Sequence, residues 1–155
     1  MGQVFKQARK VHVWLGESDE TSSKVFSLLS IIAGCKVASK SSRELLYEAL
    51  NAVFEDTSLY PIERFLYRPW FQRRWVIQEV ALSHQTEVRC GSGKIGWNWI
   101  EEGFRIILDA THGLRGLDDT ALEALRMPAA IRMEPEHILD LLWKFHKHQC
   151  FDPRD

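Results

Sequence analysis

The sequence of 155 residues has few of the residues that cross-link small proteins or bind metals. Its three cysteines, Cys35, Cys90 and Cys150, are odd in number, lie far apart and form no CxxC pair. A disulfide framework or a zinc knuckle is therefore not expected, and a reducing, cytoplasmic environment is predicted. His146 and His148 are two residues apart, so on a helix their side chains would point in different directions. The sequence thus predicts no metal site.

Long apolar runs, secretion signals and an excess of positive charge are missing as well. The most apolar stretch, residues 25–38, is interrupted by polar residues and is too short to span a bilayer. The N-terminus has no signal-peptide pattern. The formal net charge is −1, from 20 basic and 21 acidic residues, which disfavours a general nucleic-acid binder. No P-loop and no dinucleotide-binding fingerprint occurs, so no cofactor is predicted.

Aromatic residues, in contrast, are abundant, with six Trp and eight Phe in a chain that is 45% hydrophobic. This composition indicates a globular domain with a dense core, or a surface that docks on a partner. Trp14 falls on a predicted strand and Trp97 immediately precedes a predicted helix, which favours the core. An exposed aromatic docking patch is the alternative interpretation.

The pattern of elements predicts an α/β domain in which helices predominate. Residues 11–15 form a predicted strand whose two faces are both mainly apolar, as in a central strand covered on both sides. Residues 86–90 form a second strand, followed by a hairpin turn at residues 91–93. Helices are predicted from the Ser18–Ser23 region to a C′ glycine at Gly34, from the Ser41/Glu44 capping box, over 61–67, over 69–82, from Asn98, over 119–125 and from Pro135.

Two strands are too few for this pattern, because a strand buried on both faces needs neighbours for its backbone N–H and C=O groups. We therefore expect the complete domain to contain sheet-forming sequence before Met1, which would be an internal methionine.

Glu79 is the carboxylate that the spacing singles out. It lies four residues after Trp75 on the predicted helix 69–82, so both side chains share one face. A carboxylate beside an indole is partly desolvated and can act as an acid or base, or stabilise a cation. The alternative is a surface glutamate paired with a nearby arginine.

A local basic cluster precedes Glu79 and consists of Arg64, Arg68, Arg73 and Arg74. Such a cluster can hold a phosphate or carboxylate through bidentate hydrogen bonds. The alternative is a set of solvated helix faces whose aliphatic stems pack over Trp70.

Residues 68–82 (RPWFQRRWVIQEVAL) resemble the central signature of the fungal heterokaryon-incompatibility (HET) domain. Residues 11–17 (VHVWLGE), 88–97 and 152–155 (DPRD) resemble further HET motifs in the same order. The positions that match family motifs are Trp14, Gly16, Glu17, Arg68, Pro69, Trp70, Arg74, Trp75, Gln78, Cys90, Gly91, Trp97, Asp152 and Arg154. The resemblance covers nearly the whole chain, 1–155. The family's N-terminal strands and its segment after DPRD are absent, so a partial HET domain is predicted.

The resemblance implies a role in fungal nonself recognition, in which the HET domain drives programmed cell death through self-association or protein partners. HET domains are also similar to TIR domains, which implies an incomplete flavodoxin-like or TIR-like parallel sheet. In TIR domains that hydrolyse NAD, the glutamate matching Glu79 is catalytic, so Glu79 becomes the candidate catalytic residue and NAD a possible substrate. The TIR loop over the nucleotide lies between elements missing here, so this chain alone is expected to be inactive. A gene remnant without function is the third interpretation.

Overall fold

The computed structural model describes residues 7–35, 41–54, 57–73, 76–111 and 117–133. Within these ranges the chain is mixed α/β and mostly helical. The elements in chain order are β1 (Val11–Trp14), α1 (Glu20–Gly34), α2 (Ser42–Phe54), α3 (Tyr60–Leu66), α4 (Pro69–Gln72), α5 (Val76–Ala81), β2 (Thr86–Cys90), β3 (Gly93–Gly96), α6 (Trp97–Thr111) and α7 (Asp119–Met133). None of the described helices is long and apolar enough to cross a membrane.

The three strands form one sheet in the order β1-β2-β3. Strands β1 and β2 are parallel, with Val13 opposite Val88, and β2 pairs with β3 in antiparallel orientation. The predicted turn is confirmed, and Gly91 occupies it with φ +53°. The sheet is mixed instead of parallel because β3 follows directly as a hairpin. Strand β3 is not predictable from local sequence, since Gly93–Gly96 has one apolar side chain and little strand propensity.

Among the described residues, one face of this sheet is buried and the other is exposed. Val13 and Val88 are almost fully buried and belong to the core, whereas His12 and Trp14 alternate with buried residues and are exposed. The predicted strand with two covered faces is therefore wrong. The rings of His12 and Trp14 do not require cover, because each has a polar ring nitrogen that solvent can reach.

Helix α6 is the centre of the packing, since it contacts α1, α2, α7, β2 and β3. Its apolar residues Ile100, Phe104 and Ile107 recur at helical spacing, a pattern that predicts one buried stripe, and all three are fully buried. Helices α1 and α6 approach closely at Gly103, where a Cβ would lie 2.6 Å from Leu29 Cδ2. Glycine favours this close approach, because a Cβ there would require the Leu29 side chain to shift.

Helix starts follow the predicted caps more closely than helix ends do. The Ser41/Glu44 capping box is confirmed, with Ser41 N donating to Glu44 Oε2 at 2.9 Å and Glu44 N to Ser41 Oγ at 3.3 Å. Gly34 is the last residue of α1 and Cys35 caps it, so the predicted C′ glycine is wrong. Helix α6 begins at Trp97, one residue before the predicted cap.

Helix α7 is more than twice as long as predicted and continues through Pro128 to Met133. Proline removes one backbone donor and normally ends a helix, which is why the sequence pattern stopped short. Met127 and Ile131 are buried on either side of Pro128. Burial of these apolar side chains offsets the missing hydrogen bond.

The predicted helix 69–82 is two helices. Arg73 caps α4 in an extended conformation, φ −86° and ψ 137°, with its N–H donating to Trp70 O at 3.2 Å. The helix ends at this break, and Trp70 and Phe71 on its last turn are buried in the core. There the ring centroid of Phe71 lies 5.4 Å from that of Phe65 and 6.0 Å from that of Phe104. The prediction of one continuous helix is therefore wrong at Arg73, whereas the predicted pairing of Trp75 with Glu79 falls on Trp75, which lies outside the described residues.

Candidate functional site

Two loops meet beyond the carboxyl ends of the parallel strands β1 and β2. Leu15 N donates to Arg89 O at 2.9 Å, and Gly91 N donates to Gly16 O at 3.0 Å. Parallel strands end at the same edge of a sheet, which is where α/β proteins commonly place their sites. The structure thus brings together two motif matches that are far apart in the sequence, WLGE and the Cys90–Gly91 pair.

Arg68 belongs to a third motif match and contacts the place where these two loops meet. Its Nη1 donates to Leu15 O at 2.9 Å and to Glu17 O at 3.0 Å, and its Nη2 lies 3.3 Å from Asp19 Oδ2. The guanidinium suits this task because its donors lie in one rigid plane. Arg68 has an extended backbone, φ −60° and ψ 140°, as expected before Pro69. We call Gly16, Glu17, Asp19, Arg68, Cys90 and Gly91 the Arg68 junction.

The Arg68 junction shows what one member of the predicted basic cluster binds. Arg68 is 15% exposed, and its donors are occupied by the protein's own carbonyl groups and by Asp19. It is therefore a structural clamp on the β1–α1 loop. Arg74 lies outside the described residues, so the structure does not place the cluster as a whole.

Both glycines of the junction have left-handed backbone conformations, φ +94° for Gly16 and φ +53° for Gly91. A Cβ at Gly91 would overlap the Ser18 side chain and lie 2.9 Å from the Ser18 backbone nitrogen. The close approach of the two loops and the positive φ both favour glycine there.

The thiol of Cys90 is buried in the same place and is 2% exposed. Its Sγ donates to Glu17 O at 3.5 Å. A reactive cysteine needs solvent access and a basic neighbour. Cys90 therefore contributes packing and a weak hydrogen bond to the junction.

Asp19 connects the junction to the start of α1. The Ser22 N–H donates to its Oδ1 at 2.7 Å, and Ser22 Oγ accepts from the Asp19 N–H at 2.9 Å, which completes a capping box. The backbone hydrogen bond from Ser22 is the main cause of the lowered pKa of Asp19, and the charges of Arg68 and Arg64 add to it. A carboxylate is thereby held in its ionised form at a helix N-terminus.

Glu79 accepts a hydrogen bond from the indole of Trp70, and the predicted neighbour Trp75 lies outside the described residues. Trp70 Nε1 donates to Glu79 Oε2 at 3.3 Å. Trp70 is 5% exposed and meets Phe71 and Trp97 edge to face, with ring centroids 5.1 and 6.0 Å apart. Glu79 itself is half-buried. The arrangement fixes one carboxylate oxygen against an aromatic cluster.

A cavity of about 240 Å³ opens next to this cluster. It is lined by Val80, Ser83, His84, Gln85, Thr86, Trp97, Asn98 and Glu101. Glu79 is not among its lining residues, although Val80 is adjacent in sequence. The cavity and the candidate carboxylate therefore do not form one site.

Several predicted site residues cannot be placed. Trp75, Asp152 and Arg154 lie outside the described residues, as do His146, His148, Cys150 and the predicted helix from Pro135, and nothing is described of the Gln78 side chain. Asp19 was missed as a junction residue. The signal was present, because Asp19, a residue type favoured at helix N-caps, is the second residue after the WLGE match. In the described part of the chain, no three His, Cys, Asp or Glu residues could hold a metal together.

The described residues define a class of protein: a mostly helical α/β domain whose sheet, covered on one face, ends in an arginine-clamped loop junction. Residues 1–79 match the family model of the heterokaryon incompatibility protein (HET). That is half of the chain, and the chain belongs to this family.

The match ends at Glu79, so the motif resemblances from Cys90 onward lie beyond it. No curated protein and no solved structure matches the chain. The likeness to TIR domains and to a flavodoxin-like fold therefore stays a prediction.

Proposed function

We propose that this chain acts in fungal nonself recognition, as a module that triggers programmed cell death by contacting a protein partner or a second copy. Family membership supports the incompatibility role. The observation that favours contact over catalysis is the Arg68 junction. There the motif residues bind backbone atoms of the protein itself and form a rigid scaffold.

The surface also supports a contact function. Trp14 and Tyr60 are 52% and 63% exposed, and Trp99 is 40% exposed. Large aromatic side chains are enriched where proteins bind each other. The cysteine content supports action in the cytoplasm.

The test is inducible expression of the protein in a filamentous fungus. We expect loss of viability with the intact junction, and no loss with Arg68→Ala. Arg105→Ala is the matched control, because Arg105 makes only exposed ion pairs with Glu102 and Asp109. Crosslinking during induction should trap oligomers or a partner. Full viability together with a strictly monomeric protein would reject the proposal.

NAD cleavage by the full-length domain is the second candidate function. The observation that favours it is the hydrogen bond from Trp70 that orients the Glu79 carboxylate. A carboxylate so held would orient the ribose and stabilise the oxocarbenium-like transition state as nicotinamide leaves.

The deciding assay for this candidate is NAD consumption by the full-length protein with Glu79→Gln, compared with Glu123→Gln on α7 as a matched change. NAD loss that is abolished only by Glu79→Gln would support it. Equal NAD loss in the unaltered protein and in both variants would remove Glu79 from any such mechanism.

A further inference from the structure

The cavity beside the aromatic cluster lies between the end of α5, the start of β2 and the first turns of α6, and we call it the α5–α6 cavity. It holds about 240 Å³. Sites that take drug-sized molecules are larger, so a ligand of this cavity would be small. The residues that line it include neither the members of the Arg68 junction nor Glu79, so it is a separate site.

Two apolar side chains, Val80 and Trp97, line the α5–α6 cavity. The Trp97 ring meets the ring of Trp70 edge to face, at 66° and with centroids 6.0 Å apart. Because Trp70 is itself buried, the position of the Trp97 indole does not depend on a ligand. An indole held in this way can pack on an alkyl chain, and the face of its ring attracts a cation.

Two hydroxyl groups that line the cavity use their protons within the protein. Ser83 Oγ donates its one proton to Val80 O at 3.1 Å. The hydroxyls of Ser83 and Thr86 are also hydrogen bonded to each other, so Thr86 supplies the proton of that bond. Only lone pairs remain on the two oxygens, and these can accept a hydrogen bond but cannot donate one. A ligand that binds to this pair must therefore carry donors.

The charges of the lining side chains also favour a donor. Glu101 is the one acidic residue among the described residues that line the cavity, and these include no Lys or Arg. Glu101 has another contact within the protein, but an ionised carboxylate has lone pairs for several donors. Gln85 and Asn98 contribute neutral amides, and His84 is exposed. A positively charged ligand would therefore meet an opposite charge, whereas a negatively charged one would be repelled by Glu101.

We propose that the α5–α6 cavity binds the ammonium group and short alkyl chain of a primary amine. The ammonium would donate to the Glu101 carboxylate and to the lone pairs of Ser83 and Thr86, and the alkyl chain would pack on Trp97. A free amine and the lysine side chain of a partner present this same group, and the experiment distinguishes these two sources. The site goes beyond the proposed function and does not depend on it.

The test is an NMR titration of the full chain with n-pentylammonium chloride. We expect saturable shifts of the Trp97 indole N–H signal and of the Thr86 and Glu101 amide signals. 1-Pentanol has nearly the same shape without the charge, and it should bind about tenfold more weakly or worse. Nα-acetyl-lysine methylamide presents the ammonium group on a peptide unit. If it binds more tightly than pentylammonium, the source is a partner's lysine; if it binds more weakly, the source is a free amine.

Two variants and a matched control assign the binding to the cavity. Glu101→Gln should weaken pentylammonium binding by about tenfold, because a charged hydrogen bond becomes a neutral one. Trp97→Leu should weaken it by about two- to fivefold, because the ring that attracts the cation is lost. Glu102→Gln is the same change one residue further along α6, on a side chain that pairs with Arg105 and does not line this cavity, so it should bind normally. Circular dichroism shows whether each variant is folded, and Glu101→Gln decides the result if Trp97→Leu is not.

Three results would overturn the proposal. The first is the absence of saturable pentylammonium binding by the unaltered chain. The second is an equal loss of affinity in Glu101→Gln and Glu102→Gln, or 1-pentanol that binds as tightly as the amine. The third is tighter binding of sodium pentanoate than of pentylammonium, which would favour the partial positive charge at the N-terminus of α6 as the binding feature.

Discussion

Arg68 Nη1 donates a 2.9 Å hydrogen bond to the carbonyl oxygen of Leu15, one residue beyond the end of β1. This contact joins the start of α4 to the strand edge where two loops meet. Because Arg68 also binds Glu17 O, a single side chain holds the turn between β1 and α1.

Replacing Arg68 should therefore lower stability more than replacing a surface arginine. Arg68→Ala removes hydrogen bonds to two carbonyls and is expected to cost about 2–3 kcal/mol of unfolding free energy. The loss of unfolding free energy in Arg68→Lys should be smaller than that in Arg68→Ala but not zero, because an ammonium lacks the planar fork of donors. Urea denaturation measures both. The exposed ion pairs of Arg105 predict less than about 1 kcal/mol for Arg105→Ala. Equal losses for Arg68→Ala and Arg105→Ala would show that the clamp has no structural role.

Gly91→Ala should destabilise the β2–β3 turn by about 1–3 kcal/mol, because of its positive φ and its contact with Ser18. Ser18→Gly in the same chain should recover part of this loss, and a double-mutant cycle measures the coupling. Gly34→Ala is the control, since its Cβ would lie 3.4 Å from the Trp99 ring at an ordinary φ. A Gly91→Ala chain as stable as Gly34→Ala would contradict the geometry.

Asp19 predicts a pH dependence. Its pKa in the folded protein lies below the ordinary value of 3.8, chiefly through the Ser22 N–H. A lowered folded pKa gives stability that is present above the unfolded pKa of about 4 and is lost as pH falls through the folded pKa. Asp19→Asn keeps a capping acceptor but does not titrate. Thermal midpoints measured from neutral to acidic pH should therefore fall less steeply for Asp19→Asn than for the unaltered chain. Parallel curves would count against an ionised Asp19 cap.

Two substitutions at Trp70 distinguish the contribution of packing to stability from that of its hydrogen bond. Trp70→Phe keeps an aromatic ring but removes the donor to Glu79, and should cost about 1–2 kcal/mol. Trp70→Ala empties a buried position and should cost about 3–5 kcal/mol. Chemical denaturation compares the two, with Trp99→Phe as a control at an exposed tryptophan. If the two Trp70 variants lose equal stability, the aromatic cluster around Phe71 and Trp97 contributes little.

Local patterns predicted those elements whose signals are local. Strand β2, the hairpin turn, the Ser41 capping box and the buried stripe of α6 follow from periodicity and capping chemistry within a few residues. The prediction of one helix over 69–82 is wrong because its outcome depends on contacts between distant segments. Its sequence is compatible with one helix, but burial of Trp70 and Phe71 against distant aromatic side chains favours a break at Arg73.

The sequence alone determined that the chain is an α/β domain of the HET family and which residues match the family's motifs. Tertiary structure decided what those residues do. In the folded protein, Arg68 donates to the carbonyls of Leu15 and Glu17, and Glu79 accepts a hydrogen bond from the indole of Trp70. Trp14 is exposed on the open face of the sheet. The physical reason is that hydrogen-bond partners and exposure depend on contacts between segments far apart in the chain, whereas helix and strand signals depend on near neighbours.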